Sequence, residues 1–339
     1  MVEPNDYLDF LHDNPTMAFR AVKRKGELRY IASKHRGSLK AVTRFAPPTK
    51  RFPQMILDLL GLVNFSIPGF GKTVPISQGF LEQCAEALKI PADHVGIYVG
   101  EPNKQQKLVI IDVMGKSTFL LKMAIGTKAD SAISREVRGG AMAADAEVWK
   151  GRVPNIERCE SICGRAVIQI EHIPGRQLTP EEFEEMFFSD DSSLKEGVLS
   201  FKSGGLSIEE WLNKNLKSNT LNLKPLIDSC RECGALQLRS EIGVIHGDFA
   251  PWNVILRRDL ESLNKEITFG AIDWEFTSAN TPRIFDYAYA AWCYSKLLGR
   301  TSSHIEPDQW MQLVSLGALW KGLREDVSGR SLQENHERE

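Results

Sequence analysis

The chain has 339 residues, 42% of them hydrophobic and 25% charged, with a net charge of −2. This is the composition of an ordinary globular protein, and the even charge balance supplies no global attraction to nucleic acid or to an anionic membrane. The longest apolar runs, such as residues 55–63, are too short to span a bilayer. The lead Met1-Val2-Glu3-Pro4-Asn5-Asp6 lacks the basic and then apolar regions of a secretory signal. Six cysteines in a chain of this length fit the reduced thiols of a cytoplasmic protein better than a disulfide framework.

Residues 1–91 read as an N-terminal extension of unknown role. It holds strand-like pieces at 28–33 and 39–45, helix-like runs at 54–61 and 81–88, and a Gly/Pro-rich loop at 68–75. Gly71-Lys72-Thr73 in that loop imitates the end of a phosphate-binding P-loop. The glycine required five positions earlier is Ser66, so a plain turn is the reading. From residue 92 the pattern changes. Runs at 95–99, 108–114 and 118–125 are rich in β-branched residues and read as successive strands. A helix-like run at 131–149 follows, and then a buried strand at 166–170 that stops at Pro174-Gly175.

The remainder is mostly helical, at 208–216, 226–239, 284–298 and 309–323, with short strands at 254–257 and 268–272. The segment 327–339 is a polar tail. Strands first and helices afterwards predict two α+β lobes with a cleft between them, a lobe over 92–171 and a second over 172–326. Cys159 with Cys163 and Cys230 with Cys233 imitate a four-thiolate zinc set. The second pair lies in a helix-like run where such spacing places neighbours on one face, and no knuckle glycine flanks it.

The stretch Val244-Ile245-His246-Gly247-Asp248-Phe249-Ala250-Pro251-Trp252-Asn253-Val254 holds polar residues between two apolar runs. About twenty-five positions on, Gly270-Ala271-Ile272-Asp273-Trp274-Glu275 delivers another acid at the end of an apolar run. Phosphoryl transfer needs a carboxylate to take the attacking hydroxyl's proton, oxygen ligands for magnesium, and a cation on the nucleotide phosphates. Asp248 and Asn253 on one loop, with Asp273 behind, supply the first two, and magnesium prefers such hard donors.

These two motifs resemble the catalytic loop (His-Gly-Asp, four residues, Asn) and the metal site (Ile-Asp-Trp/Phe-Glu) of the aminoglycoside phosphotransferase and choline kinase family. The resemblance covers roughly residues 92–325. It implies an α+β, two-lobed protein-kinase-like fold with a small β-rich N-lobe, a larger helical C-lobe and, here, an N-terminal extension. It implies ATP or GTP as donor with Mg2+, Asp248 as base, and Asn253 and Asp273 as metal ligands. His246 then shapes the loop, and Asp286 in Pro282-Arg283-Ile284-Phe285-Asp286 braces it.

By the same resemblance Lys122, in Phe119-Leu120-Leu121-Lys122-Met123-Ala124, holds the nucleotide phosphates; a solvated lysine at a sheet edge is the alternative. Glu136 is its natural partner, with Glu147 as the other candidate, and exposure on the helix face is open for both. The segment Glu171-His172-Ile173-Pro174-Gly175 resembles the lobe-linking strand, where the Glu171 carbonyl and Ile173 amide would read adenine. The chain departs from protein kinases at the turn Gly100-Glu101-Pro102-Asn103-Lys104-Gln105-Gln106-Lys107, which has one glycine and no GxGxxG.

The implied acceptor is a small-molecule alcohol, with no nucleic-acid or membrane partner; the oligomeric state is not read from the sequence. Glu181, Glu182, Glu184, Glu185, Asp190 and Asp191 form an acidic run that could receive a polycationic aminoglycoside or simply face solvent. Tyr287, Tyr289, Trp292, Tyr294, Trp310 and Trp320 at helical spacing read mainly as core. The balance favours a sugar-like or metabolic alcohol over an antibiotic. A non-catalytic pseudokinase-like binding module is the reading of another class.

Overall fold

The computed structural model describes residues 15–24, 27–32, 38–43, 72–100, 103, 105–126, 128–189, 205–216, 221–257 and 269–327. The chain divides into two compact units, Met1–Val137 with Pro154–Pro174, and Arg138–Val153 with Gly175–Glu339.

The first unit is built on an eight-stranded sheet. Its strands are β1 (Pro15–Arg24), β2 (Glu27–Ala32), β3 (Lys72–Ser77), β4 (Val95–Val99), β5 (Lys107–Asp112), β6 (Phe119–Ala124), β7 (Ile156–Ile162) and β8 (Arg165–Glu171). They lie in the order β3-β1-β2-β4-β5-β6-β8-β7, and the pairings are antiparallel throughout. Successive side chains of a strand point to opposite faces, and the burial follows that period. Leu108, Ile110, Leu121 and Met123 join Phe80, Leu81, Cys84 and Leu88 of helix α2 (Gln78–Leu88) in one core. Ile111, Leu120, Ala124, Ile168 and Ile170 join Ala129 and Ile133 of helix α3 (Ala129–Asp145) in another. Fully burying each aliphatic side chain contributes about 1.5–3 kcal/mol, so the alternation fixes which face of β6 each residue takes.

The described parts of residues 1–91 are integral to this sheet, since β1, β2 and β3 pair into it and β2 pairs directly with β4. The strand predicted at 39–45 is instead helix α1 (Ser38–Thr43). Six residues are too few for the apolar period to separate helix from strand, and burial of Val42 in the α3-side core decides it. The loop predicted at 68–75 is also corrected at its end: Lys72 and Thr73 lie in β3, opposite Ala21 and Arg20, so they belong to a strand and not to a turn. The strand predicted to reach residue 114 stops at Asp112, whose carboxylate accepts from the backbone N–H groups of Met114, Lys116 and Ser117 and folds the chain into a turn. The helix-like run at 54–61 and the polar tail at 328–339 lie outside the described residues.

The second unit is mostly helical: α4 (Pro180–Phe188), α5 (Ile208–Asn215), α6 (Lys224–Glu232), α7 (Ile284–Lys296) and α8 (Pro307–Val327). Three small antiparallel ladders accompany them. β13 (Val254–Arg257) lies between β14 (Phe269–Ala271) and β9 (Gly175–Gln177), β10 (Leu206–Ser207) pairs β11 (Arg239–Ser240), and β12 (Ile242–Ile245) pairs β15 (Ser278–Pro282). Thr179 and Ser207 start α4 and α5 with capping boxes closed by Glu182 and Glu210. The helix predicted over 226–239 ends early because Gly234 adopts the left-handed conformation (φ 76°), which stops a helix.

The core of this unit is aromatic, with Trp149, Phe183, Phe187, Phe249, Phe269 and Trp274 all buried. Phe187 meets Phe249 and Phe269 edge-on at 5.1 and 5.4 Å, a favoured geometry for ring quadrupoles. No helix among the described residues is long and apolar enough to cross a membrane.

Candidate active site

In the first unit, β5 and β6 bring two lysines to one carboxylate. Lys107 stands opposite Ala124, and Lys122 opposite Val109, so both lysines share the face that α3 covers. Glu136 on α3, 2% exposed, accepts from Lys122 Nζ and, at 3.2 Å, from Lys107 Nζ. Lys122 is buried and lies inside the sheet between β5 and β8, not at an edge. Glu136 rather than Glu147 is therefore its partner; Glu147 is exposed in a short 3-10 turn after α3 and pairs with Lys150. Lys107 was not singled out by the sequence. Its signal was the strand register, which only the paired sheet supplies. Glu171 ends β8, where its N–H donates to the Asn155 carbonyl, and Ile173 follows it, buried.

In the second unit, β12 runs into the loop 246–253 and β13 leaves it. Gly247 makes the first bend with φ 79°, and a Cβ there would lie 2.0 Å from the Phe276 carbonyl oxygen, so no other residue fits. Asp286, in the first turn of α7, accepts the backbone N–H groups of His246 at 2.7 Å and Gly247 at 2.8 Å through its two oxygens. Burial pushes its carboxyl up to about 7, against the pull of those two donors. Asp286 thus holds the backbone of this loop through both of its oxygens.

His246 is completely buried, and both its ring nitrogens are engaged. Nδ1 accepts the Asp248 backbone N–H at 3.2 Å, so the proton sits on Nε2, which donates to the Ile272 carbonyl at 2.9 Å. This pattern demands the neutral ring, and burial lowers its pKa in the same sense, with Asp248 opposing. Through Ile272 the imidazole ties the Asp248 loop to the segment that carries Asp273. The Ile272 N–H returns to the Asn253 carbonyl at 2.9 Å, closing the connection.

Asn253 Nδ2 donates to the Asp248 carbonyl oxygen and to Asp248 Oδ2, each at 2.9 Å. These bonds use the amide nitrogen, which turns the hard Oδ1 oxygen into the available ligand atom, so the donor set fits magnesium. Asp273 is in the left-handed region, at φ 72° and ψ 61°. A non-glycine residue held there costs of order 1–3 kcal/mol, and such strain clusters at functional sites. Among the described residues no group of three or more His, Cys, Asp or Glu gathers to hold a metal, and burial pushes the Cys230 thiol up to about 12.

The other oxygen of Asp248 is engaged by a residue the sequence did not flag. Arg324, near the end of α8, donates through Nη1 to Asp248 Oδ1 at 2.5 Å and to the Gly247 carbonyl at 2.7 Å. Its Nη2 donates to the Tyr289 hydroxyl at 3.1 Å. Its guanidinium lies 4.2 Å from the Phe276 ring centre and 4.4 Å from that of Tyr289. Burial opposes its charge, but Asp248 beside it and Tyr289 behind outweigh this and hold its pKa above the ordinary value. Trp320 Nε1 also donates to the Gly247 carbonyl, at 2.8 Å.

Tyr287, Tyr289, Tyr294, Trp310 and Trp320 are all buried, as a core reading requires, whereas Trp292 is only half-buried. The acids of α4 are tied locally. Glu181 pairs with Arg300, Glu182 with Arg176 and the α4 cap, Glu184 with the Tyr294 hydroxyl and Ser303, and Glu185 with His304. Asp190 and Asp191 lie outside the described residues.

No protein-family model matches the chain, and no curated protein matches it. Solved structures similar to it include a microcompartment-associated aminopropanol kinase, at 14% identity over 74% of this chain and 97% of that one, with a TM-score of 0.38. The streptomycin–ATP ternary complex of APH(2")-IIa is similar at 13% identity over 78% and 88%, with a TM-score of 0.42. An ethanolamine kinase of Plasmodium vivax is similar at 13% identity over 72% and 80%, with a TM-score of 0.35. These neighbours are small-molecule kinases and phosphotransferases. At such scores the likeness has no weight for this chain's activity; the side-chain geometry does.

Proposed function

We propose that the protein transfers the γ-phosphoryl group of ATP or GTP to a hydroxyl of a small molecule. The observation that carries this is the loop 246–253, where Asp248 is presented on a backbone clamped by Asp286 and bonded to Asn253. A carboxylate held this firmly, with an asparagine bonded to it and a second aspartate on the adjoining segment, supplies the base and the two metal ligands that kinase-type phosphoryl transfer uses. In this reading Asp248 accepts the proton of the attacking hydroxyl. Asn253 Oδ1 and Asp273 hold Mg2+, which neutralises charge on the phosphates when bound. Lys122, oriented by Glu136, binds the nucleotide phosphates, with Lys107 adding a second cation beside it. The Glu171 carbonyl and Ile173 amide receive the adenine. His246 keeps the loop in register.

The acceptor in this reading is a sugar-like or metabolic alcohol, an aminoglycoside being the alternative. The engaged glutamates of α4 offer a polycation little that is not already paired. The test is Mg2+-dependent transfer of labelled γ-phosphate across an alcohol panel, wild type against Asp248→Asn. Transfer by the wild type, with a rate about 10²–10⁴-fold lower in the variant and nucleotide affinity unchanged, is the expected result. Equal rates would remove Asp248 as base. A wild type that binds nucleotide and transfers to nothing would favour the pseudokinase-like module.

A further inference from the structure

We infer that Arg324 is a positioning residue that fixes the orientation of the Asp248 carboxylate from helix α8 and thereby supports the rate of phosphoryl transfer. The inference rests on the phosphotransferase reading with Asp248 as base.

The loop 246–253 contains no lysine or arginine, and its one imidazole is the buried, neutral His246. Within that loop, Asp248 is held at one oxygen, where Asn253 Nδ2 donates to Oδ2. The last torsion of an aspartate is broad, so a single bond leaves the plane of the carboxylate loosely defined. Arg324 Nη1 supplies the second point of attachment, on Oδ1 at 2.5 Å. Donors on both oxygens define the plane, and one of them comes from an element 76 residues away.

The guanidinium can act as a reference because it is itself fixed. The same Nη1 donates to the Gly247 carbonyl at 2.7 Å, and Nη2 donates to the Tyr289 hydroxyl at 3.1 Å. The group lies between the rings of Phe276 and Tyr289, 4.2 and 4.4 Å from their centres, and the side chain is 12% exposed. Trp320, one turn earlier on α8, donates to the same Gly247 carbonyl at 2.8 Å. Helix α8 therefore holds both the peptide that precedes Asp248 and the carboxylate itself. A lysine in this place would keep the charge, but its single nitrogen has no plane to stack and no fork to span these acceptors.

Proton transfer requires the carboxylate oxygen within about 2.6–3.2 Å of the attacking hydroxyl, and a misplacement of about 1 Å can cost about a hundredfold in rate. Arg324 acts here through Asp248 and not on the nucleotide. Its loss should therefore appear in kcat and leave the KM for nucleotide alone.

The experiment uses the full chain with Mg2+ and an alcohol that the wild type phosphorylates, in a cycle of wild type, Arg324→Gln, Asp248→Asn and the double variant. Arg324→Gln should lower kcat by about ten- to a hundredfold, with the KM for nucleotide within about twofold of wild type. In the Asp248→Asn background the same change should lower the residual rate by less than about threefold, because the oriented base is already gone. A residue that only supports the fold would lower both backgrounds alike. Arg324→Lys should stay near the Arg324→Gln rate. If Arg324→Gln does not fold, Tyr289→Phe takes its place, removing one anchor of the guanidinium and keeping the ring. It should lower kcat by about two- to fivefold in the wild-type background and not with Asp248→Asn. An unchanged kcat in the variant tested, equal losses in the two backgrounds, or full activity in Arg324→Lys overturns the inference and leaves the phosphotransferase reading standing. A wild type that transfers to no alcohol overturns both.

Discussion

Asp248 has a donor on each carboxylate oxygen, Asn253 on Oδ2 and Arg324 on Oδ1. Each oxygen retains a lone pair, so these bonds aim the carboxylate and still leave it able to accept a hydroxyl. Glu136 is the corresponding focus in the first unit. With one carboxylate serving Lys122 and Lys107, Glu136→Gln leaves two poorly exposed ammonium groups without their counter-charge. Breaking a buried pair costs about 3–5 kcal/mol, so the urea unfolding midpoint of this variant should fall clearly. Lys107→Met, which leaves the Lys122–Glu136 pair intact, should cost much less and weaken nucleotide binding in calorimetry. Asp248, Asn253 and Asp273 were legible from sequence because their order and spacing are local. Lys107 and Arg324 were not, since they lie 29 and 76 residues from the carboxylates they meet and no local pattern marks them.

At the level of elements, the loop between β12 and β13 depends on one conformation and three supports. Gly247 takes the positive φ, Asp286 at the head of α7 holds two N–H groups, and Trp320 and Arg324 of α8 hold the Gly247 carbonyl. Gly247→Ala must place a Cβ against the backbone oxygen of Phe276. It should cost about 2–4 kcal/mol in chemical denaturation and lose activity out of proportion, because the shift falls on the residue before Asp248. The two capping boxes make a milder test: Ser207→Ala should cost about 1 kcal/mol by the same measurement and leave activity unchanged. Long periodic segments such as α7 and α8 were readable, with their ends displaced by at most four residues. The short α1 was misread as a strand, because six residues hold too little periodicity and its burial depends on a sheet assembled from distant strands.

For the whole molecule, two buried groups link folding to pH with opposite signs. His246 is held neutral, below its ordinary pKa of 6.5, so as pH falls below 6.5 the unfolded chain binds a proton that the folded chain refuses, and stability drops. Asp286 is raised from 3.8 to about 7, so between those values the folded chain keeps a proton that the unfolded chain has lost, and stability rises as pH falls through that window. Asp286→Asn removes the second effect. Between pH 7 and 5 its unfolding midpoint should therefore decline more steeply with acid than that of the wild type, whatever its absolute stability. Parallel curves would mean that the two N–H donors keep Asp286 ionised.

The sequence by itself determined the loop 246–253 with its flanking apolar runs and the order of strands before helices. Those signals lie in contiguous residues, where spacing and apolar flanks act on one another directly. Only the tertiary structure decided that β1, β2 and β3 complete the sheet of the first unit, and that Lys107 joins Lys122 at Glu136. It alone showed that a buried arginine from α8 pairs with Asp248. Strand pairing and ion pairing are set by which faces are buried together, and burial is a property of the folded chain that no local stretch contains.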